Sequence, residues 1–180
     1  MNDIRYKAKD PLAVANYIVK LDNKNGLPIT NLQLQKVLFF LQGYSLSKQQ
    51  TELIAGDFTK WKYGPVEKDV YGAFKFNRAF PIKKPATVVE NTSNDIICYE
   101  PALDLSSIPD LTEFNQLTQR LTKMPSDQLI KMSRDYPNWE KDKLKVYADQ
   151  ELKFSQDGIK ACFDNNKNEF KLTKNKLKAI

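Results

Sequence analysis

One helix constrains this chain more than any other segment. Thr30-Asn31-Leu32-Gln33 puts a hydroxyl at a helix start and a glutamine three residues on, the reciprocal capping pattern that satisfies two otherwise unpaired amide groups. Leu34, Val37, Leu38 and Leu41 then recur at helical spacing, and Phe39 and Phe40 carry the apolar surface round the cylinder. A helix that is apolar on more than one side must be covered on more than one side. The spacing therefore predicts a mainly α protein, a single compact helical domain around a buried central helix at about 30–48.

The flanking segments supply the cover. Asp10-Pro11 opens a first helix with a capping carboxylate and a proline at the first helical position, and Asn25-Gly26 ends it. Residues 57–63 alternate and are rich in β-formers, so a short extended piece is expected there. Gly64-Pro65 breaks it, and Pro65 is expected to begin a helix running to about Asn77, with Glu67 and Asp69 as acidic residues of its first turn. A small β-hairpin is expected near 87–99, where Thr87-Val88-Val89-Glu90 and Ile96-Ile97-Cys98-Tyr99 flank an Asn-rich turn. Helical spacing returns at Leu111, Phe114, Leu117 and Leu121, and again after Pro125. Tyr136-Pro137-Asn138-Trp139 reads as an interruption, followed by a polar helix over 141–153 and a short helix capped by Ser155. The domain is expected to span 1–164, giving six or seven helices. The Lys- and Asn-rich stretch 165–180 holds few apolar anchors and reads as a basic tail, disordered or ordered by a partner.

The composition excludes much chemistry. With no histidine in 180 residues, the usual general base near neutral pH and the commonest metal ligand are missing. Cys98 and Cys162 stand far apart and in no CxxC pairing, and no glycine-rich phosphate loop exists. No metal, no cofactor and no enzymatic activity is expected, with no catalytic residue to name. The amino terminus carries charge where a signal peptide needs an apolar run, and no apolar run approaches a membrane span, so a cytoplasmic protein with no membrane partner is expected.

Charge is uneven along the chain. Residues 1–90 carry 14 basic and 8 acidic groups, residues 91–164 carry 9 and 13, and residues 165–180 carry 5 and 1. Lysine dominates the positive charge and only four arginines are present, which weakens a nucleic-acid reading. Lys60, Lys62, Lys75 and Arg78, interleaved with Trp61, Tyr63, Tyr71, Phe74 and Phe76, keep that reading alive as a second choice. For Trp61 and Phe74 the expected place is the core. Lys36, Lys62, Tyr63 and Tyr71 are the candidates for surface contact with a partner. Lys36, mid-helix, is expected to lay its methylenes over aromatic rings and keep its ammonium in water.

Two blocks, Leu32-Gln33-Leu34-Gln35-Lys36-Val37-Leu38-Phe39-Phe40 (within Thr30 to Tyr44) and Trp61-Lys62-Tyr63-Gly64-Pro65-Val66, together with Leu129-Ile130-Lys131-Met132-Ser133-Arg134 and Phe154 to Phe163, resemble the Panacea domain of SocA-like antitoxins and related phage-associated proteins. The resemblance runs through most of 10–164. It departs at Ser133-Arg134, where family members often carry a histidine, and in 78–105. The resemblance implies an antitoxin that neutralises a cognate, adjacently encoded protein toxin by direct binding, the toxin including translation-blocking enzymes of alarmone-synthetase type. Delivery of the toxin to a protease and nucleic-acid-binding regulation are the alternatives it leaves open.

Overall fold

The computed structural model describes residues 8–93 and 95–165. The sequence expectation for the basic tail falls, from residue 166 on, outside the described residues. Within them the fold is mainly α, with eight helices and two small antiparallel strand pairs.

Helix α1 (Pro11–Lys24) starts where the Asp10 carboxylate accepts the Leu12 amide at 2.9 Å, and it is followed by Gly26 in the left-handed region. Helix α2 (Asn31–Tyr44) carries the capping box seen in the sequence, Gln33 N to Thr30 Oγ1 at 3.3 Å and Thr30 N to Gln33 Oε1 at 3.2 Å. Every residue of α2 from Leu34 to Tyr44 is buried. The α-helical winding stops at Tyr44 rather than running on to Lys48: Ser45–Gln49 form a π-helical turn that ends on Gln50 in the left-handed region. The Ser45 hydroxyl donates to the Thr51 carbonyl at 2.9 Å and anchors that change of winding.

Strand β1 (Phe58–Trp61) pairs antiparallel with β2 (Gly64–Glu67), with Lys60 opposite Pro65. This corrects the expected helix start at Pro65. Gly64 has φ of 91°, which closes a tight turn and returns the chain as a strand. The next helix, α3 (Lys68–Phe74), begins three residues later, where the Glu67 carboxylate accepts the Val70 amide at 2.8 Å. Glu67 is thus the cap, not a first-turn residue. The second hairpin, β3 (Val88–Asn91) with β4 (Ile96–Tyr99), falls where the β-formers predict it.

Helices α4 (Leu111–Thr122) and α5 (Ser126–Arg134) follow the predicted periodicity. Pro137 does not interrupt; it occupies the first position of a one-turn helix, α6 (Pro137–Glu140), that buries Trp139. The polar helix expected over 141–153 shrinks to α7 (Lys143–Tyr147). The end of that segment is drawn onto the free edge of β1, where Lys60 N donates to Leu152 O at 2.7 Å and Phe154 N to Phe58 O at 2.8 Å. Backbone pairing with β1 outcompetes a helix that has no apolar face to bury. Ser155 accepts the Gly158 amide at 3.0 Å at the start of α8 (Gln156–Asn165).

Helix α2 touches α1, α3, α4, α5, α8 and β2. Phe39 is the meeting point of the aromatic core, with ring centroids 5.1–6.0 Å from Phe40, Phe58, Tyr136, Phe154 and Phe163. Gly43 lets the Phe163 ring lie directly on the α2 backbone, since a Cβ there would overlap it.

Candidate partner-binding groove

The polar residues of α2 have no solvent face to point to, and they clamp neighbouring segments instead. Gln35 Oε1 accepts the Glu67 amide at 2.8 Å, while its own amide reaches Asn31 Oδ1 at 3.2 Å. Asn31 in turn donates to the Tyr71 carbonyl at 3.2 Å. Lys36 Nζ donates to the Pro65 carbonyl at 2.7 Å. Gln42 receives the amides of Leu53 and Ile54 at 3.0 and 2.9 Å and donates to Gln156. Gly64 fits against Lys36 and Ser133 with no room for a side chain. The two sequence blocks that mark this chain are therefore one structural unit, a helix face fastened to a strand.

Lys36 departs from expectation. Its exposure is 0%, so the ammonium is not in water. Burial without a carboxylate pushes it down to about 7. A second buried group, Asp22 of α1, also has 0% exposure, and neither carboxylate oxygen has a hydrogen-bond partner among the described residues. Burial raises it to about 7. The nearby Thr122 hydroxyl pulls the other way, but it is placed to donate to Gln119 O at 3.3 Å rather than to the carboxylate.

The two groups give opposite pH slopes. The folded chain holds the Asp22 proton up to about 7 while the unfolded chain loses it near 3.8. Stability from that protonated carboxyl is complete below the lower value and falls as pH rises to the upper one. For Lys36 the unfolded chain keeps its proton to about 10.5 and the folded chain only to about 7, so stability climbs through that window. The climb is at most about 1.4 kcal/mol per pH unit. Urea midpoints are expected to pass through a minimum near neutrality, Asp22→Asn flattening the acid limb and Lys36→Met the alkaline one. Equal slopes in wild type and both variants would refute this assignment.

Above the Lys36–Pro65 contact lies a groove of about 780 Å³. Its walls are the start of α2, β1 with its turn, α3 with the residues after it, and residues 146–151. All four sequence candidates line it, although 36 and 71 lie on different helices. Lys36 sits at the buried base. Tyr63 is 66% exposed at the turn, and Tyr71 is 37% exposed with its ring edge-on to Trp61 at 4.8 Å. Trp61 is half-buried as a groove wall rather than a core residue, whereas Phe74 is in the core. Leu32, Val66 and Val146 add apolar surface.

Lysines crowd the rim. Lys62 pairs with Asp149 at 2.8 Å and Lys68 with Glu151 at 2.5 Å, which raises the Lys62 ammonium and lowers the Glu151 carboxyl from their ordinary values. Lys60 is buried, paired with Asp142 at 2.6 Å, with its ammonium 4.9 Å from the centre of the Phe154 ring. Lys75 and Arg78 complete the lining and have no carboxylate partner among the described residues. Sequence reasoning missed the acidic side of the groove altogether. Asp149 and Glu151 lie more than 80 residues from their lysines, and no local pattern marks such a pairing.

Among the described residues no group of three or more Cys, Asp or Glu side chains is arranged to hold a metal, and no helix is long and apolar enough to cross a membrane.

Comparison with known proteins places these features in context. The family model described as antitoxin SocA-like, Panacea domain, matches residues 34–140, which include the second sequence block and the first from Leu34 on. Antitoxin SocA of Caulobacter vibrioides (strain NA1000 / CB15N) is 41% identical over 68 residues, covering 38% of this chain and 36% of the relative. The chain thus spans about a third of the length of the curated relative it matches. No solved structure matches.

Proposed function

The chain belongs to the SocA-like Panacea family, and from that premise we propose that it is the antitoxin of a toxin–antitoxin pair, neutralising a cognate protein toxin by direct contact through the groove. The observation that carries the reading is the family match over the helix and strand that build the groove's base. Lys62, Tyr63 and Tyr71 are the proposed contact residues. Lys36 acts one layer beneath them, holding Pro65 and the strand in place. Aromatic side chains with polar tips on a rigid frame are the residue types that dominate binding energy at protein interfaces.

Expression of the adjacent reading frame alone is expected to arrest growth, and co-expression with this chain to restore it. A harmless neighbour, or a toxic one that this chain does not rescue, would sink the reading. Unchanged toxin levels during rescue are expected for neutralisation by contact, and a falling level would favour delivery to a protease instead. A second reading has support from the same lining: Lys62, Lys75 and Arg78 around Trp61 and Tyr71 also suit a single nucleic-acid strand. A gel shift on the chain's own promoter that shows no complex at low salt would dismiss it.

A further inference from the structure

We propose that the groove receives an acidic segment of the cognate toxin bearing a large apolar side chain, and that Asp149 and Glu151 occupy, in the free protein, the places the segment's carboxylates take in the complex. This rests on the antitoxin reading above and specifies what that partner presents.

Three observations support it. The first is the charge of the lining: apart from the buried Lys36 and the Asp142-paired Lys60, four cationic side chains face two carboxylates. Those two are supplied by one short stretch, Asp149-Gln150-Glu151, that reaches across to Lys62 and Lys68. Both pairs are solvent-exposed, with side-chain exposures between 45% and 80%. Exposed pairs of this kind are weak and exchange readily with an incoming carboxylate. Part of the acidic middle of the sequence thus serves as a counter-charge inside a basic groove.

The second observation is Arg78. Its backbone lies at φ 53° and ψ −120°, a region that non-glycine residues rarely adopt. Strain held at a groove-lining residue that lacks a carboxylate partner among the described residues supports a functional role for it. The third is the apolar wall. Leu32, Trp61, Val66, Tyr71 and Val146 give the groove a hydrophobic side beside its cationic rim. That combination fits a peptide-like segment with an apolar anchor flanked by carboxylates. It fits a free phosphate compound less well, because two of the rim cations already hold separate carboxylates and the sequence has no glycine-rich loop to cradle a phosphate.

The competition has a signature that simple contact loss lacks, because variants on its two sides move affinity in opposite directions. The test is calorimetric titration of the full chain with the purified product of the adjacent reading frame. The paired substitutions Lys62→Glu and Lys68→Glu are expected to weaken binding at least about tenfold. Asp149→Asn with Glu151→Gln is expected to tighten it by about threefold, with the gain fading in high salt. Asparagine suits the left-handed backbone at 149, where φ is 58°. Arg78→Gly is expected to raise the melting temperature while weakening binding. It keeps the proposal testable should the charge-reversed protein fail to fold. If the wild-type chain does not bind the neighbour, the antitoxin reading itself fails. If it binds and all variants match it, or the Asp149/Glu151 pair weakens binding, the groove assignment is overturned while that reading stands. Competitive displacement of the toxin by ATP or a short oligonucleotide would likewise overturn it.

Discussion

Phe39→Ala is expected to remove a large share of the chain's stability. Truncating a buried phenylalanine costs about 3–5 kcal/mol, against a total of about 5–15 kcal/mol for a typical domain. The upper end applies here because the site cannot collapse. Phe39 has zero exposure and meets five other rings, which belong to α2, β1, the loop before α6, the segment before α8 and α8 itself. Each neighbour is fixed by other contacts; Phe163, for example, stacks on Tyr136 at 5.1 Å and lies against Gly43. Removing the central ring therefore leaves a void rather than a rearranged core. Phe39→Leu, which restores most of the volume, is expected to lose much less, under about 2 kcal/mol. Urea denaturation followed by tryptophan fluorescence separates the two. An alanine variant with a midpoint near that of wild type would show that the ring cluster is not the centre of the core.

Gly64→Ala is the second large effect, expected to cost about 2–5 kcal/mol by adding strain at positive φ to overpacking. At φ 91° any side chain is strained. The added Cβ would also overlap the Ser133 hydroxyl and press on Lys36, 3.2 Å from its Cε. Both neighbours are buried and hydrogen-bonded, Ser133 to Ile130 O at 2.9 Å and Lys36 to Pro65 O at 2.7 Å. Relief would have to come from moving β2 away from α2, which would pull Glu67 from Gln35 and open the base of the groove. The variant should accordingly lose both stability and toxin binding, whereas Tyr63→Ala, at an exposed turn position, should lose binding alone. Equal melting temperatures for Gly64→Ala and wild type would refute this account of the turn.

Much of the fold was legible because its causes are local. Thr30 and Gln33 announce the start of α2, Asp10-Pro11 the start of α1, and the β-formers round the Asn-rich turn the second hairpin. Each depends on residues within a few positions of one another. Errors came where a distant partner overrode local preference. Pro65 has a backbone suited to a helix start, but Gly64 and the edge of β1 turn it into a strand. The stretch 148–153 reads as helix, but β1 draws its end, Leu152 and Lys153, into backbone pairing. Lys36 looked like a surface lysine because its sequence neighbours say nothing of Ser133, nearly a hundred residues on, or of the strand that covers it.

The candidate site divides the same way. The sequence by itself determined the helix with apolar residues on several sides, the family to which its two blocks point, and the absence of histidine chemistry. Those follow from composition and short-range spacing. Only the tertiary structure decided that the two blocks clamp each other and that Lys36 is buried beneath Pro65. It alone brought Lys62, Tyr63 and Tyr71 into one groove and set Asp149 and Glu151 across from the lysines. The physical reason is that burial and ion pairing belong to pairs of surfaces, and a surface exists only once segments far apart in the chain have packed together.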